Sequence, residues 1–220
     1  MIEIKKTEDG SHTLYVPELD EHYHSAFGAI RESMHVFIHA GLMHFDQKEI
    51  SILEIGFGTG LNALLTAIES RDQQIKYWGI EAHPLQDEII KKMNYPQLIP
   101  FDGSDLIFDK IHEADWGQET TITENFILSK FHSKIQETIL PENTFNAIYF
   151  DAFAPDVQPE LWTEEIFKKI HAAMKPGGVL VTYSSKGLVK QNLRAAGFTV
   201  KRLPGPLGKK HMVRAEKVIR

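Results

Sequence analysis

The stretch that decides the fold is Ile50–Ser70, "ISILEIGFGTGLNALLTAIES". Its apolar run, Ile52 to Ile55, reads as a strand. From Leu61 the apolar positions Leu64, Leu65 and Ile68 fall at helical spacing. Three glycines, Gly56, Gly58 and Gly60, occupy the turn between strand and helix. Glycine there permits left-handed torsions and lets a ligand come close to the main chain. The unpaired N–H groups that open the next helix point at such a ligand. The spacing is G-x-G-x-G, not the G-x-G-x-x-G of dinucleotide sites, which counts against a nicotinamide-dependent dehydrogenase.

Outward from this turn, strand and helix patterns alternate. Strand-like runs are expected at Ser51–Gly56, Lys76–Glu81, Ile122–Leu128, Phe145–Ala152, Gly178–Ser184, Phe198–Leu203 and His211–Ala215. Helical patterns are expected at Leu61–Ser70, Leu85–Met93, Phe131–Ile139, Thr163–Met174 and Gly187–Ala196, with Gly197 as a C-cap. The fold class that follows is α/β: a doubly wound, mainly parallel, seven-stranded, Rossmann-like sheet. Its last two strands flank a Pro-Gly turn, so the terminal one forms an antiparallel hairpin strand. Residues 1–45 read as an N-terminal hairpin followed by a helix over Ala26–Leu42 that Gly41 ends, together covering the active site. Residues 46–220 form the main domain, with an insertion at about 94–121 that includes the amphipathic "SDLIFDKIHEADW".

The 220 residues contain no cysteine, which removes zinc-thiolate sites, iron–sulfur clusters and thiol nucleophiles. There is no apolar run long enough for a membrane span and no signal-peptide pattern at the start, so a cytoplasmic protein is expected. His35 and His39 lie one helical turn apart, but no H-E-x-x-H motif accompanies them and no metal is expected. Trp162 and Phe167 read as core rather than as platforms for bases. The formal net charge is −6, unevenly spread. Residues 165–220 hold 13 Lys+Arg against 2 Asp+Glu, leaving 11 basic and 28 acidic side chains in residues 1–164. This fits either solvated helix faces or a surface for a polyanion. The candidates for such a surface are Lys168, Lys169, Lys186, Lys190, Arg194, Lys209 and Lys210, of which Lys186, Lys190 and Arg194 share a helix face.

Carboxylates at strand ends define the chemistry. Glu54, two residues before Gly56, would repel a pyrophosphate but suits an ammonium or sulfonium group. Glu81 ends the second strand, where an acidic side chain can accept the hydroxyls of a ribose. A ligand with a ribose, a cation and no phosphate is S-adenosyl-L-methionine. Asp151, Phe153 and Pro155 in "YFDAFAPDVQPELW" follow the fourth strand and should face the transferred methyl group. The alternative for Asp151 is a cap of the next turn.

These residues resemble those of the class I S-adenosylmethionine-dependent methyltransferases. More narrowly, "FGTGLN", "FDAFAPDVQPELWTEEIFKKIHAAMKPGGVLVTYSSKGLVKQNLRAAGF" and "LPGPLGKKHMV" resemble the methyltransferase half of the bifunctional tRNA-modifying MnmC family. The resemblance implies cofactor roles for Glu54, Gly56, Phe57, Gly58, Gly60, Leu61, Asn62 and Glu81. It places Asp151, Phe153 and Pro155 on the reaction loop, and Glu32, from "HYHSAFGAIRESMHVFIHAGL", over the cofactor or target amine. Where the family has Gly-Asp after the third strand, holding adenine, this chain is read as Ser129-Lys130, with Lys130 assigned to the cofactor. The implied reaction is methylation of the 5-aminomethyl group on 2-thiouridine at the tRNA wobble position, with a separate flavin oxidase supplying that group. Alternatives are a small-molecule or protein methyltransferase, an aminopropyltransferase, and a non-catalytic scaffold that binds S-adenosylmethionine or RNA.

Overall fold

A computed structural model of the chain describes residues 2–219. A small antiparallel sheet comes first: β1 (Glu3–Lys6), β2 (His12–Val16) and β3 (Glu21–His22). The helix expected over Ala26–Leu42 is α1 (Ala29–Ser33) running directly into a π-helical stretch, Met34–His39. After it come β4 (Glu49–Ile55), α2 (Leu61–Glu69), β5 (Gln74–Glu81), α3 (Asp87–Ile90), α4 (Tyr95–Leu98) and α5 (Ser104–Glu113). The remainder is β6 (Glu119–Thr123), β7 (Phe126–His132), β8 (Phe145–Phe150), α6 (Glu164–Ala173), β9 (Met174–Thr182), α7 (Gly187–Ala195), β10 (Thr199–Pro204) and β11 (His211–Glu216).

The main sheet has eight strands in the order β10-β11-β9-β8-β4-β5-β7-β6. β4 pairs in parallel with both β5 and β8, which puts the glycine turn at the centre of one sheet edge. β11 is antiparallel to both β9 and β10, as the Pro-Gly turn implies. The strands alternate between two cores, as a sheet covered on both faces must. Ile52, Ala147 and Tyr149 pack toward the side of α2 and α5. Leu53, Ile148 and Phe150 pack toward Trp162, Phe167 and Leu193 on the side of α6 and α7. Trp162 and Phe167 are core residues, as expected.

Helix ends follow local chemistry. Thr163 caps α6, its Oγ1 accepting from Ile166 N at 3.3 Å. At the end of α7, Gly197 has φ 99°, its N–H donates to Arg194 O, and Phe198 N–H donates to Leu193 O, which is the paired bonding of a Schellman cap.

The third strand departs from expectation. The run assigned to Ile122–Leu128 is two strands: β6 turns back on β7, pairing antiparallel with Thr123 opposite Phe126. The parallel partner of β5 is β7, which continues to His132. This extra edge strand makes eight where seven were expected, and it comes from the end of the insertion. The helix expected over Phe131–Ile139 does not form. Two of its residues, Phe131 and His132, belong to β7, and the following loop is held by Lys169, whose Nζ donates to Ile135 O (2.7 Å) and Gln136 O (2.9 Å). The expected Leu85–Met93 helix shrinks to the single turn of α3.

Residues of the segment 94–121 support the glycine turn. His112 Nε2 lies 3.1 Å from Thr59 O, and Tyr95 Oη donates to Thr59 Oγ1 at 3.1 Å. Ile111 on α5 is fully buried. Replacing it with alanine should cost about 2–5 kcal/mol, read by urea denaturation. Gly56 has φ 88°, and a β-carbon there would lie 2.4 Å from Asp151 O. Gly56→Ala should therefore cost at least the roughly 1–2 kcal/mol of left-handed backbone and lower the thermal midpoint; an unchanged midpoint would contradict this packing.

Candidate active site

A cleft of about 380 Å³ opens at the carboxyl ends of β4, β5 and β8, within the range of small-molecule sites. Its walls come from five segments: Glu21–Ala26, the turn from Gly56 to Asn62, Glu81–His83, Ser133–Gln136, and the loop beginning at Asp151. Tyr183, Glu32 and Lys209 complete it.

At the centre, Asn62 Nδ2 donates to Glu54 Oε1 at 2.8 Å and to Asp151 Oδ2 at 2.9 Å. Tyr77 Oη donates to the other Glu54 oxygen at 2.8 Å. Glu54 is fully buried, and burial pushes its carboxyl well above the usual range. With both oxygens engaged and no face in the cleft, it does not meet a ligand directly as expected; it orients Asn62. Asn62 Oδ1 is buried and has no hydrogen-bond partner. A buried acceptor left without a donor is uncommon, and this one belongs to a residue that lines the cleft.

Glu81 sits half-buried, accepting Gly58 N–H (2.9 Å) on one oxygen and His83 N–H (2.9 Å) on the other. Those bonds fix the carboxylate at the cleft and leave further lone pairs for hydroxyl groups. Phe57 lies beneath the turn; a β-carbon at Gly79 would be 2.3 Å from its ring. Gly60 is not a wall of the cleft. At φ 72° it is the residue that opens α2.

Asp151 lies half-buried in the cleft, its carboxyl pushed up to about 7. Burial is the largest cause, and Glu32 adds to it; Asn62 and Lys209 oppose it. Phe153 lines the cleft and meets Tyr23 edge to face, with centroids 5.1 Å apart. Its backbone is pinned on both sides: Phe153 N–H donates to Gln158 Oε1 (3.1 Å), and Trp162 Nε1 donates to Phe153 O (2.8 Å). Pro155 is buried outside the cleft, where it shapes the loop rather than facing a ligand. Glu32 is in the cleft and buried, accepting from Ser25 N–H at 2.7 Å.

Two assignments are corrected. Lys130 is buried within β7, its Nζ donating to His112 O at 2.9 Å and lying 5.0 Å from the Trp116 ring, away from the cleft. Because β7 ends at His132, the residues after the third strand are Ser133 and Lys134, and these do line the cleft. Lys209 is in the cleft, paired with Glu32, and not on an outer basic face. Of the other basic candidates, Lys168 pairs with Glu164, Lys186 with Asp156, and Lys169 with loop carbonyls. Sequence reasoning missed Tyr23, His83, Gln158 and Tyr183 as cleft residues, because no periodicity marks a loop side chain that long-range folding delivers. His24 is also a wall; burial lowers its imidazole to about 4, so it is neutral at pH 7.

A family described as S-adenosyl-L-methionine-dependent methyltransferases matches residues 113–218. The bifunctional protein MnmC of tRNA 5-methylaminomethyl-2-thiouridine biosynthesis from Cupriavidus metallidurans is 29% identical over 91% of this chain. The same-named protein of Cupriavidus necator is 30% identical over 90% of the chain. The chain spans 32% of the length of each. The crystal structure of MNMC2 from Aquifex aeolicus superposes over 100% of this chain and 72% of its own, with a TM-score of 0.82 and 26% identity. With its glycine turn at the sheet centre and an acidic cleft at the strand ends, the chain has the class I methyltransferase fold and is similar to S-adenosyl-L-methionine-dependent methyltransferases.

Proposed function

We propose that this chain methylates the primary amine of 5-aminomethyl-2-thiouridine at the wobble position of tRNA. The observation that carries it is Asp151: a carboxylate in the cleft, tied to the cofactor turn through Asn62, beside the aromatic pair Tyr23–Phe153. The relatives named for 5-methylaminomethyl-2-thiouridine biosynthesis support the acceptor. Another activity must supply the aminomethyl group; a separate flavin oxidase is the class that the family resemblance implies.

S-adenosylmethionine supplies a methyl carbon on a sulfonium that becomes a neutral thioether. Asn62 Oδ1 and the Glu81 carboxylate are the groups that would hold it, together with the backbone of Gly56 to Asn62. The acceptor nitrogen needs a free lone pair. Asp151, with a carboxyl raised to about 7, is matched to take a proton from an incoming ammonium near neutral pH. Phe153 and Tyr23 exclude water from that side. Orientation of the two reactants supplies up to roughly 7–11 kcal/mol of the acceleration. The acidic cleft faces the small cation, and Lys190, Arg194 and Lys210 are the candidates for phosphate contacts.

Purified chain, labelled methyl donor and tRNA lacking this modification should give labelled 5-methylaminomethyl-2-thiouridine on nucleoside analysis. Label confined to protein or small molecules would remove the tRNA assignment. Asp151→Ala should lower transfer by about 10²-fold or more, while calorimetric affinity for S-adenosylmethionine stays near wild type; lost affinity would mean Asp151 holds the cofactor. Replacing Lys190 and Arg194 with glutamine should weaken tRNA binding and reduce its salt slope by about 2; an unchanged slope would place the RNA elsewhere.

Asp151 also leaves a signature in stability. The folded chain keeps a proton that the unfolded chain, with an ordinary carboxyl at 3.8, releases between about pH 4 and 7. Stability due to this group therefore falls as pH rises through that window and stays low above it. Asp151→Asn should raise the thermal midpoint at pH 8 relative to wild type and leave the difference small at pH 4.

A further inference from the structure

Lys209 lies in the turn between β10 and β11, and its ammonium reaches residues distant in sequence. Its Nζ is 2.5 Å from Glu32 Oε1 and 4.0 Å from the centroid of the Tyr183 ring. Tyr183 Oη in turn donates to Ala152 O at 2.8 Å, beside Asp151. The turn that carries Lys209 is held in place from outside. Gly208 has φ 84°, and a β-carbon on it would be 2.1 Å from the Phe27 ring, so that ring occupies the side-chain position. Glu32 is likewise fixed, its second oxygen accepting Ser25 N–H.

This corner of the cleft is crowded with ionisable and polar groups. Around Asp151 stand Glu32 from α1, Glu54 from β4, Tyr77 from β5 and Tyr183 after β9, with the Asn62 amide from α2. Glu21 also faces Lys209. Two carboxylates, Glu32 and Asp151, would repel each other if both were ionised and unpaired. A fixed ammonium against one of them relieves that repulsion without touching the other.

Resting on the methyl-transfer reading above, we propose that Lys209 is a positioning residue: by clamping Glu32 it leaves the Asp151 carboxylate available to receive the proton of the acceptor amine. The direction of the charge effects agrees, since Glu32 raises the Asp151 carboxyl and Lys209 lowers it. The ion pair also ties the N-terminal block to the C-terminal hairpin across the cleft mouth, so both ends of the chain set the charge at the reaction loop.

The test reads Asp151 itself and needs no substrate. In full-length chain labelled with ¹³C at aspartate carboxyls, the Asp151 resonance is identified by its loss in Asp151→Asn and titrated with pH. Wild type should show an inflection at about 7. Lys209→Met should move it upward by about one unit or more; Lys209→Arg should restore it; Glu32→Gln should move it downward; and the Lys209→Met, Glu32→Gln double variant should return toward wild type. An inflection unmoved in folded Lys209→Met overturns the proposal. Should Lys209→Met not fold, Glu32→Gln decides: a downward shift supports the clamp and no shift overturns it. With tRNA as acceptor, the acidic limb of kcat should move with the inflection while KM for S-adenosylmethionine holds. Absence of transfer to tRNA in wild type would sink the acceptor assignment and leave the titration result standing.

Discussion

One amide holds the site together. The two N–H groups of Asn62 bridge Glu54, on β4, and Asp151, just past β8. Both carboxylates lie at the tips of adjacent parallel strands, and without a shared donor they would repel each other. The amide's position follows from α2, which starts immediately after the glycine turn. The turn itself depends on Gly56, because any side chain there would strike the backbone of Asp151. Strand pairing, turn and reaction loop are thus a single mechanical unit. That arrangement leaves the amide's Oδ1 buried without a hydrogen-bond partner.

The rest of the chain supports this unit from three sides. The insertion backs the turn through His112 and Tyr95, both on Thr59. The N-terminal block supplies Tyr23, Ser25 and Glu32 to the cleft mouth, and the C-terminal hairpin supplies Lys209. Loop 151–162 is fixed by Gln158 and by the indole of buried Trp162.

Much of this was legible in the sequence. The glycine turn, the strand-tip acids Glu81 and Asp151, the doubly wound sheet and the antiparallel terminal hairpin follow from spacing and periodicity. What failed did so for identifiable reasons. The residues around Phe126 are strand-forming on both sides of a tight turn, so two strands read as one, and the spacing puts the end of β7 four residues early. That error carried Lys130 into the site and left out Ser133 and Lys134. Glu54 reads as a ligand group from its place at the strand tip because a sequence does not reveal that Tyr77 and Asn62 occupy both of its oxygens. Lys209 looked like surface charge, since its partner Glu32 is 177 residues away.

The central claim is that the cleft over the glycine turn holds a cationic adenosyl ligand, with Asn62 and Glu81 as its polar anchors. A crystal structure with S-adenosyl-L-homocysteine tests it most directly. The account predicts ligand density in this cleft, with the amino group at Asn62 Oδ1 and the ribose hydroxyls at Glu81. Ligand bound elsewhere, or seated here with Asn62 and Glu81 both unengaged, would contradict it.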